Sequence, residues 1–159
     1  MFLSSLMALA AVLIMGVISP GPSFIYVARN AVARSRTHGL VTALGTGAGA
    51  AIFSIMAMLG LQKVLTAVPE MFIGLKVAGG LYLLWLGYKI YRGAAQPMDF
   101  AAGGMAAEHS LLKTFRDGLY TQLSNPKTAL VFASIFTALL PERIPLAFYY
   151  IVPLMSFVI

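Results

Sequence analysis

Apolar residues fall along this chain in long runs, broken by a charge only at Lys76 and Lys89 in the third and Lys127 in the fourth, not in the short periodic stripes of a soluble helix or strand. The first extends from Met1 to Ala28 without a charge. As a helix it would be about 40 Å long, more than the hydrocarbon thickness of a bilayer. A signal peptide is the competing reading, but the run lacks a basic start and is too long. Further runs cover Gly39 to Leu61, Met71 to Tyr91 and Leu119 to Leu140, and a fifth begins near Leu146 and continues to Ile159. The pattern predicts four spans and part of a fifth.

Composition agrees with that pattern. Only 10% of the 159 residues are charged and 60% are hydrophobic, against about 25% charged in soluble domains. The chain is therefore expected to be an all-α membrane protein, a polytopic helical bundle. Basic residues sit between the apolar runs and form no stripe interleaved with aromatics, which argues against nucleic acid. With no cysteine, disulfides and thiolate metal sites are excluded, and no cofactor or metal is expected.

The loops sort by charge. Arg29, Arg34, Arg36 and His38 follow the first run; Lys89 at the end of the third is followed by Arg92, Lys113 and Arg116. Lys63 alone separates runs two and three, and Arg143 alone follows run four. Lys and Arg concentrate on the cytoplasmic side. Loops 29–38 and 89–117 are thus expected to be cytoplasmic, with the N-terminus outside. Glycine, proline and small residues mark 92–117 as a linker between a three-span half, 1–91, and an incomplete second half, 118–159.

Two runs contain breaks. Ser19-Pro20-Gly21-Pro22-Ser23 places two prolines and a glycine in the first. Each proline removes an amide donor, so the helix kinks or restarts there. A passive kink is the bland reading, whereas in lipid such a break persists where it lines a cavity or is buried in protein. In the fourth, Ser124-Asn125-Pro126-Lys127 couples a favoured N-cap to a favoured first helical residue. A half-helix starting at Pro126 would present partial positive charge, and Lys127 would add a full one, forming an anion site. Alternatively Lys127 lies at the cytoplasmic boundary and snorkels to lipid phosphates.

Because each break interrupts the first helix of its half, and an odd span count inverts one half, the pattern is that of inverted three-helix repeats around two broken helices. Gly45 and Gly49 form a small-residue face, as do Gly79, Gly80 and Gly87, and these are read as helix-packing positions. No phosphate-binding loop or His-Glu-x-x-His is present. An intramembrane hydrolase built on Ser124 and Lys127 is a remote alternative.

The residues also carry a family resemblance. Ser19-Pro20-Gly21-Pro22 with Ala28-Arg29-Asn30-Ala31, the segment from Leu75 to Gly87, and Phe115-Arg116-Asp117-Gly118 with Ser124-Asn125-Pro126-Lys127 resemble, in that order, the lysine-exporter (LysE/RhtB) family. The resemblance implies a multi-pass inner-membrane exporter of amino acids or similar metabolites, proton-coupled, with six spans in about two hundred residues. Against that pattern the present chain is expected to be C-terminally truncated. The implied partners are a small amino-acid-like substrate and the lipid bilayer, with a homo-oligomer as a further option. Ser19, Pro20, Gly21, Pro22, Asn125, Pro126 and Lys127 are the expected substrate-binding residues, and Asp117, at the mouth of span four, is the carboxylate candidate for coupling. Competing functions are a non-transporting scaffold or relic of such an exporter, and export of another solute such as a metal cation. Cation sites within spans favour carboxylates, which these runs lack.

Overall fold

Proline and capping residues, not charge, set where the helices stop. In a computed structural model, residues 2–18, 21–67, 110–140 and 144–159 and a scatter of positions between 73 and 92 are described. Six complete helices lie among the described residues: α1 (Phe2–Ile18), α2 (Pro22–Ala33), α3 (Arg36–Ala67), α4 (Leu111–Leu123), α5 (Pro126–Leu139) and α6 (Phe148–Val158).

The segment 29–38, expected as a loop, is mostly helical. Arg29 lies within α2, and α3 opens at Arg36, leaving only Arg34 and Ser35 as a link. Basic side chains end the apolar run but not the helix, because Arg is itself a good helix former. The link is short and tight: a Cβ on Gly39 would lie 2.5 Å from the Ala31 Cβ. Likewise α4 opens at Leu111, with Ser110 accepting from the Lys113 amide at 3.2 Å. Part of the stretch read as linker is therefore a capped helix.

Among the described residues α3 is the one helix long and apolar enough to cross a bilayer by itself; its qualifying stretch is Arg36–Gly60. The pair α1–α2 passes the same test as a single span bent by 58°. At 14 residues α5 reaches about 21 Å, short of a full crossing.

The core gathers around α5. Val131, Phe132, Ile135, Phe136 and Leu140 pack with Leu9 and Leu13 of α1, Met58 of α3 and Phe148 and Val152 of α6. Phe132 stacks between Phe53 and Phe136, with centroids at 6.0 and 5.8 Å. Around this core, α1 lies against α5 and α6, whereas α2 and α4 lie against α3.

Among the described helices the contact between α3 and α4 is the most extensive, and small residues make it. A Cβ on Gly45 would collide with the Phe115 carbonyl oxygen, and one on Gly49 would lie 2.8 Å from the Gln122 side chain. From the other side, a Cβ on Gly118 would come 2.6 Å from the Thr42 carbonyl oxygen. Without Cβ atoms the backbones approach closely, the usual device for packing helices in lipid. Gly47, on the opposite face, meets α6 at the Phe157 carbonyl in the same way, at 2.6 Å. No described atom lies within 4 Å of a Cβ on Gly80; Gly79 and Gly87 lie outside the described residues.

Candidate functional site

The break between α4 and α5 is built by local chemistry. Ser124 closes α4, its amide donating to the Tyr120 carbonyl at 2.8 Å. Asn125 then turns extended and caps α5: its side chain accepts from the Lys127 amide at 3.0 Å. Pro126 follows at the first helical position, where its missing N–H costs nothing.

The first break repeats this construction with one difference. Pro22 opens α2 and Gly21 is its N-cap, extended at φ −133°, but glycine supplies no side-chain cap. Ser19 and Pro20 lie outside the described residues.

The two breaks meet. Asn125 Nδ2 donates to Ser23 Oγ at 3.1 Å, so the first turn of α2 touches the N-cap of α5. Asn125 is 5% exposed, and its carboxamide thus serves both helices from a buried position. Nearby, a Cβ on Gly16 in the last turn of α1 would lie 3.8 Å from Val131 Cγ1 in α5. With only three residues between α1 and α2 and two between α4 and α5, four helix ends converge. Two are N-terminal and carry partial positive charge; two are C-terminal and carry partial negative charge.

Of the other expected site residues, Lys127 is half-buried in the first turn of α5, while Pro22 and Pro126 are exposed. Asp117 is half-buried on α4, about two turns before the break, and its carbonyl accepts from Thr121 Oγ1 at 2.7 Å. Among the described residues no three His, Asp or Glu side chains gather into a metal site.

The sequence placed Ser23 and Asn30 in motifs without giving either a role, and did not mark Thr42. Asn30, 1% exposed on α2, donates through Nδ2 to Thr42 Oγ1 of α3 at 3.0 Å, and Thr42 Oγ1 donates to the His38 carbonyl at 2.7 Å. A polar pair 12 positions apart across a helical link carries no local signature. Ser23 had one: a hydroxyl directly after the proline that restarts a helix.

Comparison with known proteins gives this arrangement its context. Residues 14–158 match the family of LysE type translocators. The chain belongs to that family. It is 36% identical over 136 residues to a threonine efflux protein of Salmonella typhimurium, covering 85% of this chain and 66% of the relative. It is 33% identical over 139 residues to the threonine efflux protein of Escherichia coli K12, covering 87% and 68%. A leucine efflux protein of Enterobacter sp. strain 638 is 31% identical over 121 residues, covering 76% and 56%. The chain thus spans about two thirds of the length of the threonine efflux proteins it matches. No solved structure matches it.

As a LysE-type translocator the chain is a membrane protein of a transport family, not an enzyme. That removes the hydrolase alternative, and the structure uses Ser124 as the C-cap of α4.

Proposed function

We propose that this LysE-type translocator exports amino acids or closely related zwitterionic metabolites from the cytoplasm, through a site at the junction of its two broken helices. The contact between Ser23 and Asn125 carries the reading, because it brings helix ends of both signs to one place. A zwitterion matches such a junction. Its carboxylate suits the N-terminal ends of α2 and α5 with Lys127 beside them, and its ammonium suits the carbonyl ends of α1 and α4. Two helix N-termini set close together repel, and an anion between them removes the repulsion. The names of the threonine and leucine efflux relatives agree with a substrate of this class.

In this proposal the N-terminus is outside the bacterial inner membrane, 1–91 and 118–159 belong to inverted repeats, and 92–117 joins them on the cytoplasmic side. Alternating access rocks the two halves against each other about the shared junction. The coupling in this reading is to protons, as the family resemblance suggests, with Asp117 as the candidate carboxylate. The test is efflux of preloaded threonine from cells producing the protein as it occurs natively. Lys127→Ala should lower export while membrane insertion stays intact, and Lys127→Arg should restore part of it. Undiminished export by Lys127→Ala would sink this site.

A further inference from the structure

The outward face of α4 has a chemistry that the transport junction does not use. Thr114 and Gly118 are buried against α3, which turns Leu112, Arg116 and Tyr120 outward one turn apart. Leu112 is 78% and Tyr120 58% exposed, and Lys113 and Arg116 are exposed beside them. A cavity of about 400 Å³ opens on this face, lined by Ser110, Leu112, Lys113, Phe115, Arg116 and Leu119. Two cations therefore sit among apolar side chains on an exposed surface.

We infer that this face is a binding site for an anionic phospholipid. The planar Arg116 guanidinium suits bidentate contact with a phosphate, and Lys113 adds a second charge one turn nearer the helix start. Leu112, Phe115 and Leu119 supply an apolar wall for the glycerol and upper acyl segments, which a free phosphate would leave unused. At the cytoplasmic membrane surface, where 89–117 is expected, anionic headgroups attract such basic side chains, and the apolar wall favours a lipid over a free ion. The lipid also bears on the transport junction, since α4 runs from this face directly to Ser124 and Asn125. A headgroup holding the first turns of α4 fixes the position of the Asn125 cap relative to Ser23.

Titration of the purified, complete protein with phosphatidylglycerol and with phosphatidylcholine, read by native mass spectrometry, tests the site. Phosphatidylglycerol should be retained preferentially, and Lys113→Gln with Arg116→Gln should weaken its binding about twenty-five-fold, from roughly fivefold per charge. Arg36→Gln, an exposed basic residue at the start of α3, should leave it unchanged. Both altered side chains are exposed, so folding is not at stake, and an unchanged melting temperature checks this. Equal retention of the two lipids, undiminished binding by the double variant, or an equal loss in Arg36→Gln would overturn the proposal. So would displacement of the lipid by inorganic phosphate at matching concentration, which would mark a site for free anions. None of these readouts depends on export.

Discussion

Asn125 and Ser23 lie 102 positions apart, yet Asn125 Nδ2 donates to Ser23 Oγ at 3.1 Å while its Oδ1 accepts from the Lys127 amide. One carboxamide therefore caps α5 and ties it to the start of α2. The two tasks can be separated by substitution. Asn125→Ala removes both the cap and the tie, each worth about 1 kcal/mol, whereas Ser23→Ala removes the tie alone. Unfolding of the purified protein in detergent should show a loss of about 2 kcal/mol for the first and about 1 for the second. In a double-mutant cycle the two should couple by about 1 kcal/mol. Strict additivity would mean that the contact contributes nothing.

How much of this was legible beforehand follows from the range of each interaction. The restart at Pro126 could be read in advance because capping is settled within four residues, and Asn125-Pro126-Lys127 contains the whole signal. The meeting of Asn125 with Ser23 could not, since it depends on how α1 packs beside α5 and α2 against α3 and α4. Charge misled at Arg29 and again at Lys113: it marks where a chain leaves hydrocarbon, while helices continue until a cap or proline stops them. Gly45 and Gly49 stood out by their spacing, but Gly47, between them and facing α6, did not. A period of four shows only one face of a helix that is packed on two.

That two-sided packing makes α3 sensitive at particular glycines. Gly45→Ala drives a methyl group into the Phe115 carbonyl, and Gly118→Ala does the same at Thr42. Backbone cannot move aside as a side chain can, so each should cost about 1–3 kcal/mol. Gly60 is also within α3, but no described atom lies within 4 Å of its would-be Cβ. Gly60→Ala should be neutral, or stabilising by up to about 1 kcal/mol through helix propensity. Thermal melts of the three variants in one detergent decide it; a Gly60→Ala loss as large as the others would show that the effect is not one of close approach.

The Asn30–Thr42 pair makes a sharper case at the α2–α3 link. Thr42→Val preserves shape but leaves the buried Asn30 Nδ2 without its acceptor. An orphaned buried donor costs about 1–3 kcal/mol. Half-buried Thr46 donates to the Ala43 carbonyl of its own helix through a solvent-exposed bond, so Thr46→Val should cost well under 1 kcal/mol, as substitutions outside buried networks usually do. Equal losses in denaturant titrations would remove the buried pair from any special role.

Orientation can be measured directly, because the chain has no cysteine and each introduced thiol is the only one. Gly45 meets Phe115 and Leu119, and Gly49, one turn further along α3, meets Leu119 and Gln122, further along α4. The contacts advance together, so α3 and α4 run in the same direction and their starts, Arg36 and Ser110, share a side. Lys63 lies 27 residues beyond Arg36 on α3, about 40 Å along the axis. If basic residues mark the cytoplasmic face, Arg36→Cys and Ser110→Cys should resist a membrane-impermeant maleimide in intact cells and react after permeabilisation. Lys63→Cys should react in both. Labelling of Arg36→Cys and Ser110→Cys on opposite sides would contradict the parallel packing itself. Labelling of both from outside would preserve the packing but reverse the molecule, making the junction of Ser23 and Asn125 open first to the periplasm and ending the case for export by this arrangement.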